Sequence, residues 1–286
     1  MATLRLRYRT RLGFMEQSRR LVPSLVDGGD LEMVSIGTGP GVTVMHGGGI
    51  DESVYRRLAS RLSGSFTVHV YNRRGRGQSA PRPANYGLQT EIGDLESVLQ
   101  ATESSRVIGH SMGGFLALAA AKELPIDRLA LFDPTVNVNG DFPSDYLPEL
   151  ERLIAAGDTK AAMLVMSKGL RNPGSDWPAP VQRAAVRAVL LTPPGKTMAR
   201  LLHTAPAEIK LAFAADGPAS DWASVTAKTR FYIGAKSPDY YLPIATALAE
   251  VMPDATVEVV PRLGHDALAR AGSALVTSLS RFLASD

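Results

Sequence analysis

The sequence predicts an α/β fold built on a mostly parallel sheet with helices on both faces. Three observations lead there. Short apolar strands alternate with helical stretches over residues 21–133, and the same alternation resumes over 227–286. Between them, residues 134–226 hold at least three helical stretches and no good strand, which marks an insertion after the sixth strand. The chain has 286 residues, 45% of them hydrophobic, enough to bury one large core.

Residues 1–20 carry six Arg against Glu16 alone, a net charge of +5 in a chain whose total is +3. The basic character therefore belongs to this segment and says little about a nucleic-acid partner. Its "LRLRYRTRL" alternates apolar and basic residues, as an edge strand or an unstructured arm does. We expect residues 1–20 to form a loosely attached basic extension. The extension lacks the uninterrupted apolar stretch of a secretory signal, and no run in the chain approaches the length needed to cross a bilayer. With no Cys there is neither a disulfide framework nor thiolate chemistry, which suits a cytoplasmic protein.

"LVPSLVDGGDLEMVSIGTGPGVTVMHGGG" (21–49) reads as two short strands around a turn at "DGGD", then a second turn and the apolar strand "VTVMH". Residues 51–63 have helical spacing, with Val54, Leu58 and Leu62 on one face. "FTVHVY" is the fourth strand, followed by the loop "NRRGRGQSAPRP" and a helix near 87–101. "RVIGH" is the fifth strand, an Ala-rich helix covers 112–123, and "RLALFD" (128–133) is the sixth strand. The insertion has helical spacing around 145–156, 159–170, 179–191 and 196–214. "TRFYIG", a helix near 240–252, "ATVEVV", a loop with "GHDA" and a helix to 283 complete the chain.

The chemistry concentrates in "GHSMG" (109–113), which fits G-x-S-x-G between an apolar strand and a small-residue helix. At so sharp a strand-to-helix turn a serine sits strained and exposed above the sheet edge. The helix that follows also favours negative charge at its N-terminus. In isolation the pentapeptide would pass for an ordinary Gly-rich turn. The strand before it and the helix after it make Ser111 a candidate nucleophile, which needs a base beside it.

Together with "GHSMGG", three further motifs resemble the α/β-hydrolase family: "HGGG" (46–49), "RRGRGQS" (73–79) and "GH" (264–265). The resemblance covers about residues 22–283. It implies an eight-stranded, mostly parallel sheet, a core of residues 21–133 and 227–286, and a helical cap of residues 134–226. It also implies that His265, in the loop after the last strand, is the base. Of the other histidines, His69 falls within a strand and His203 within the insertion. His110 belongs to the turn itself and His46 opens the "HGGG" loop. The backbone N–H groups of Met112 and Gly48 are the expected oxyanion donors.

The acid that should orient the base is less plain. Many members of the family take it from the loop after the seventh strand, three residues past a glycine. Here that position holds Ser237, which is neutral, and the nearest carboxylate, Asp239, is two residues late behind a proline. Other members take it from the end of the sixth strand, where this chain has Asp133. Asp133 is the first choice and Asp239 the alternative.

These residues imply a serine hydrolase acting on an ester, thioester or lactone of a small to medium apolar substrate, with no cofactor. The histidines are not spaced with carboxylates as a zinc site requires, so no metal is expected. The same scaffold also hosts carbon–carbon bond hydrolases, biosynthetic cyclases and non-catalytic ligand-binding proteins. The expected partner is a small-molecule substrate, with neither nucleic acid nor membrane, and the chain is expected to be a monomer or homodimer. "NRRGRGQS" has one aromatic neighbour and no flanking basic run, so it reads as a tight turn and not as an RNA-binding segment.

Overall fold

The computed structural model describes the backbone of residues 4–10 and 13–284, and the side chains of residues 17–284. Among the described residues nine strands form one sheet: β1 (Leu4–Thr10), β2 (Gly13–Pro23), β3 (Asp30–Ile36), β4 (Gly41–Met45), β5 (Thr67–Tyr71), β6 (Arg106–His110), β7 (Arg128–Phe132), β8 (Lys228–Gly234) and β9 (Ala255–Val260). Their order is β1-β2-β3-β5-β4-β6-β7-β8-β9. The first three strands and the β3–β5 pair are antiparallel, and all later pairs are parallel. The chain steps from β4 outward to β5 and then back across β4 to β6. That reversal opens a crevice at the carboxyl ends of β4 and β6, where open α/β sheets place their ligands.

Parallel neighbours need crossovers, and helices supply them. One face of the sheet is covered by α2 (Leu88–Thr102), α3 (Met112–Ala120) and α9 (Tyr241–Val251). The other is covered by α1 (Arg56–Leu62) and, after the short helix α10 (Ala267–Arg270), by α11 (Ser273–Ala284). Alternation along a strand feeds both cores: Phe231 and Ile233 of β8 join the first, while Tyr232 between them joins the second. Every residue of α3 is buried. Its first turn lies so close to β4 that a Cβ on Gly113 would stand 2.2 Å from the Met45 carbonyl oxygen.

The eight expected strands are β2–β9, and β1 adds a ninth at the edge. The expectation of a loosely attached extension over residues 1–20 is corrected for its described part. Leu4–Thr10 pairs with β2, and Arg19 bridges Glu32 and Glu52 on the body of the protein. The alternation over Leu4–Thr10 is thus that of an edge strand. Residues 1–3 and 11–12 of the expected extension lie outside the described residues.

Between β7 and β8 the chain forms α4 (Leu147–Ala155), α5 (Thr159–Gly169), α6 (Ala179–Leu191), α7 (Pro193–Leu201) and α8 (Ala205–Ala214). The helix expected over 196–214 is divided, because the chain tightens into a 3-10 turn at Leu202–Thr204 and Pro206 sits in the first turn of α8. Proline lacks the N–H that would continue a helix but is tolerated where one begins. Helix α6 has no buried residue, and Leu191 at its end is 77% exposed.

Gly113→Ala should destabilise the protein by about 1–3 kcal/mol or more, since backbone must move to admit the methyl. Gly64→Ala, at a position with nothing within 4 Å of a Cβ, should lie close to wild type in the same urea-unfolding comparison. A second expectation concerns His69 of β5, whose Nδ1 pairs with the Ser35 hydroxyl at 2.8 Å. Burial, with a smaller contribution from Arg20, pushes its imidazole down to about 4. Unfolded, it takes up a proton near pH 6.5. Acidification from 6.5 towards 4 therefore favours the unfolded chain, by up to about 1.4 kcal/mol per pH unit from this group. Melting temperatures across that range should fall less steeply for His69→Gln than for wild type.

Candidate active site

Ser111 stands between β6 and α3 with φ 53° and ψ −123°, a conformation that L-residues rarely adopt. Such strain costs on the order of 1–3 kcal/mol and persists only where surrounding bonds impose it. Here they do. The Ser111 N–H donates to the Phe132 carbonyl at 3.0 Å, and the Ser111 carbonyl accepts from Gly114 at 2.8 Å, Phe115 at 3.1 Å and Thr135 at 3.0 Å. The close approach of Gly113 to β4 fixes where the helix begins. Ser111 Oγ lines a cavity and lies 3.3 Å from the Thr135 hydroxyl.

Asp133 follows β7 directly, fully buried and also at positive φ, 41°. Its Oδ1 accepts the Gly234 N–H at 3.1 Å. Its Oδ2 accepts the Ser237 hydroxyl at 2.6 Å and pairs with His265 Nδ1 at 3.1 Å. A carboxylate acceptor places the proton of a neutral imidazole on Nδ1 and leaves Nε2 as the basic nitrogen. The His265 ring stacks on Tyr241, with centroids 5.4 Å apart and planes 15° apart. His265 and Ser111 line the same cavity. Asp239 is 83% exposed and pairs with Arg171 instead, so the structure brings Asp133 to His265 and leaves Asp239 outside. Ser237, noted in the sequence only as a neutral residue where an acid is common, is a donor to that acid.

A chain of hydrogen bonds supports this wall from behind. The Gly47 N–H donates to the Tyr55 hydroxyl at 3.1 Å, and that hydroxyl pairs with His110 Nδ1 at 2.6 Å. His110 Nε2 donates to the His265 carbonyl at 2.8 Å. Burial, helped by the neighbouring His265, pushes the His110 imidazole down to about 3 and so keeps it neutral. His46 is likewise structural. Its Nδ1 donates to the Gly47 carbonyl at 2.8 Å, and its Nε2 accepts the Arg73 N–H at 3.1 Å. Burial, then the charges of Arg73 and Arg76, hold it well below the usual histidine range. His203 bonds the Arg200 carbonyl within the insertion.

The cavity encloses ≈ 300 Å³ between the sheet edge and the inserted helices. Gly48 and Met112 line it on the core side, and Met163, Met166, Met198 and Leu202 line it on the insertion side. Neither the Gly48 nor the Met112 N–H has a hydrogen-bond acceptor among the described residues. One lining residue has no sequence signal. Glu208 of α8 is fully buried, accepting from Arg73 at 2.9 Å, Arg76 at 2.5 Å and Arg82. The three arginines lie within or just after "NRRGRGQS", read from sequence as a tight turn. Their partner is more than 120 residues away, a separation that local pattern does not span.

Comparison with known proteins bears on the family and the fold. The model of the alpha/beta hydrolase family matches residues 44–277. An alpha/beta hydrolase from Sphaerobacter thermophilus is 29% identical, with a TM-score of 0.78 over 92% of this chain and 99% of that one. Curated relatives match over shorter stretches. An uncharacterized protein of Mycobacterium tuberculosis is 31% identical over 99 residues, 33% of this chain and 29% of that protein. A pimeloyl-[acyl-carrier protein] methyl ester esterase of Stenotrophomonas maltophilia is 33% identical over 89 residues, 31% of this chain and 33% of the esterase. The chain thus spans about a third of the length of these curated relatives. The family match covers most of the sequence, and the chain belongs to the alpha/beta hydrolase family.

Proposed function

We propose that this protein is a serine hydrolase that cleaves an ester, thioester or lactone of a small to medium apolar substrate through an acyl-enzyme. The observation that carries the reading is the pairing of buried Asp133 with His265 Nδ1, on the wall of the cavity that Ser111 also lines. Ser111 Oγ attacks the substrate carbonyl carbon while its proton passes to His265 Nε2. The carbonyl π pair moves to oxygen, where the Gly48 and Met112 N–H groups receive the charge. Collapse expels the alcohol, which takes the proton from His265. Water, deprotonated by the same nitrogen, then attacks the acyl carbon; the bond to Ser111 Oγ breaks as that oxygen takes the proton back from His265, and the acid leaves.

Asp133 keeps His265 in the needed tautomer and stabilises the imidazolium. With the Gly234 N–H on Oδ1 and the Ser237 hydroxyl on Oδ2 beside His265, the carboxylate has little freedom to turn away. The methionines and leucines of the helical cap support an apolar acyl or alkyl group, held by packing. The esterase among the relatives is consistent with ester chemistry.

Ser111→Ala should abolish hydrolysis of a p-nitrophenyl ester and labelling by a fluorophosphonate while leaving the melting temperature nearly unchanged. Full activity in the folded variant would remove Ser111 from the reaction. Asp133→Asn should lower kcat by roughly 10⁴-fold, the scale of a triad with the wrong tautomer. Asp239→Asn, at an exposed loop position, should cost less than about tenfold. The reverse ranking would transfer the acid's role to the loop after β8.

A further inference from the structure

Glu208 is a buried carboxylate lining the cavity next to the expected oxyanion donor, a poor location for negative charge if it were free. It is not free. Its Oε1 accepts from Arg76 and Arg82 and its Oε2 from Arg73, so three guanidinium groups surround it. Burial pushes its carboxyl up, but Arg73, Arg76 and Arg82 outweigh that and hold it below the usual carboxylate range. Arg73 is in turn shared with Glu91 at 2.9 Å.

Arg73 also reaches the "HGGG" loop. The same Nη2 that bonds Glu208 lies 3.2 Å from the Gly47 carbonyl oxygen, which accepts from His46 Nδ1 as well. No cis peptide occurs among the described residues, so the Gly47 carbonyl and the Gly48 N–H belong to one planar trans unit and point in opposite directions. Two donors fixing the carbonyl therefore fix where the Gly48 N–H is aimed. The contact is close on the other side too, for a Cβ on Gly48 would stand 3.1 Å from Glu208 Oε2.

We infer that Glu208 and Arg73 are positioning residues that tie the seating of cap helix α8 to the aim of the Gly48 N–H, so that oxyanion stabilisation depends on a docked cap. The inference rests on the hydrolase reading above. Neither residue touches the reacting atoms. Arg73 acts through the Gly47 carbonyl, and Glu208 acts by holding Arg73.

The test compares wild type with Glu208→Gln and Arg73→Lys. Arg73→Lys keeps the buried charge but replaces a planar fork, whose Nη1 holds Glu91 while its Nη2 reaches Gly47 and Glu208, by a single ammonium that cannot stand at both nitrogen positions. Each folded variant is assayed on p-nitrophenyl butyrate and for binding of hexyl trifluoromethyl ketone and of its methyl ketone counterpart. The trifluoro compound adds Ser111 Oγ to its carbonyl carbon, passing the serine proton to His265 and placing an alkoxide where the oxyanion forms. The methyl ketone binds without that step.

The expected result is a fall in kcat of about 10- to 100-fold with KM little changed, below the full loss of a donor. Trifluoromethyl ketone binding should weaken by a similar factor while methyl ketone binding does not. Raised KM with equal weakening of both ketones would overturn the inference, because the cluster would then only hold the cavity wall. Unchanged kinetics in both variants would overturn it as well. Should Glu208→Gln fail to fold, Arg73→Lys decides alone. Ser111→Ala in the same assay separates the two readings: if it still turns over, the hydrolase reading falls, and if it is inactive while Arg73→Lys is normal, only the coupling falls.

Discussion

The approach of α3 to β4 leaves no room for a side chain at Gly113, and the rest of the site follows from that contact. With the helix start held against the Met45 carbonyl, the chain leaving β6 must turn within one residue. That residue takes positive φ, and its side chain is lifted to the edge of the sheet. Gly109 and Gly114 serve the same closeness, since a Cβ on Gly109 would stand 2.7 Å from the Gly114 Cα. The strain at Ser111 is thus imposed by packing that involves the fully buried α3 and both neighbouring strands.

Electrostatics then sort the five histidines. Burial and adjacent cations hold His46 neutral, and burial with His265 does the same for His110. Both are tied by their ring nitrogens to backbone or to Tyr55. His265 alone pairs with a carboxylate and also lines the cavity. The buried arginines follow a similar logic on a larger scale. Glu208 and Glu91 offset most of the charge of Arg73, Arg76 and Arg82, and stripping one partner from such a cluster typically costs about 3–5 kcal/mol.

The fold was legible because it is written in local pattern: apolar runs of strand length, helical spacing, and glycines at the sharp turn. The candidate site was legible where a residue type sits at a fixed place on that pattern, as Ser111, His265 and Asp133 do. Choosing Asp133 over Asp239 needed one further step, that Ser237 is uncharged, and the structure adds that its hydroxyl bonds the chosen acid. Glu208 was illegible because nothing in "APAEIKLAFA" distinguishes a carboxylate turned into a cluster of arginines from one facing water. The division between α7 and α8 has no signal in the pattern, because apolar spacing continues through Leu201 and Leu202 while Pro206 begins a new helix. An alternating pattern such as that of Leu4–Thr10 suits both a loose arm and an edge strand, and only the pairing with β2 decides between them.

Helix α6 borders the cavity and is itself exposed along its length. Val186 and Val189 line the cavity, yet no residue of the helix is buried, and Val189 and Leu191 are exposed to water. A helix with no buried residue holds little of the protein's packing energy, which resides in the two cores against the sheet. Changes along it can therefore reshape the chamber without loosening the body that carries Ser111, Asp133 and His265. The shape of the chamber and the stability of the fold are stored in different parts of the molecule, so the one can drift while Ser111, Asp133 and His265 stay in register.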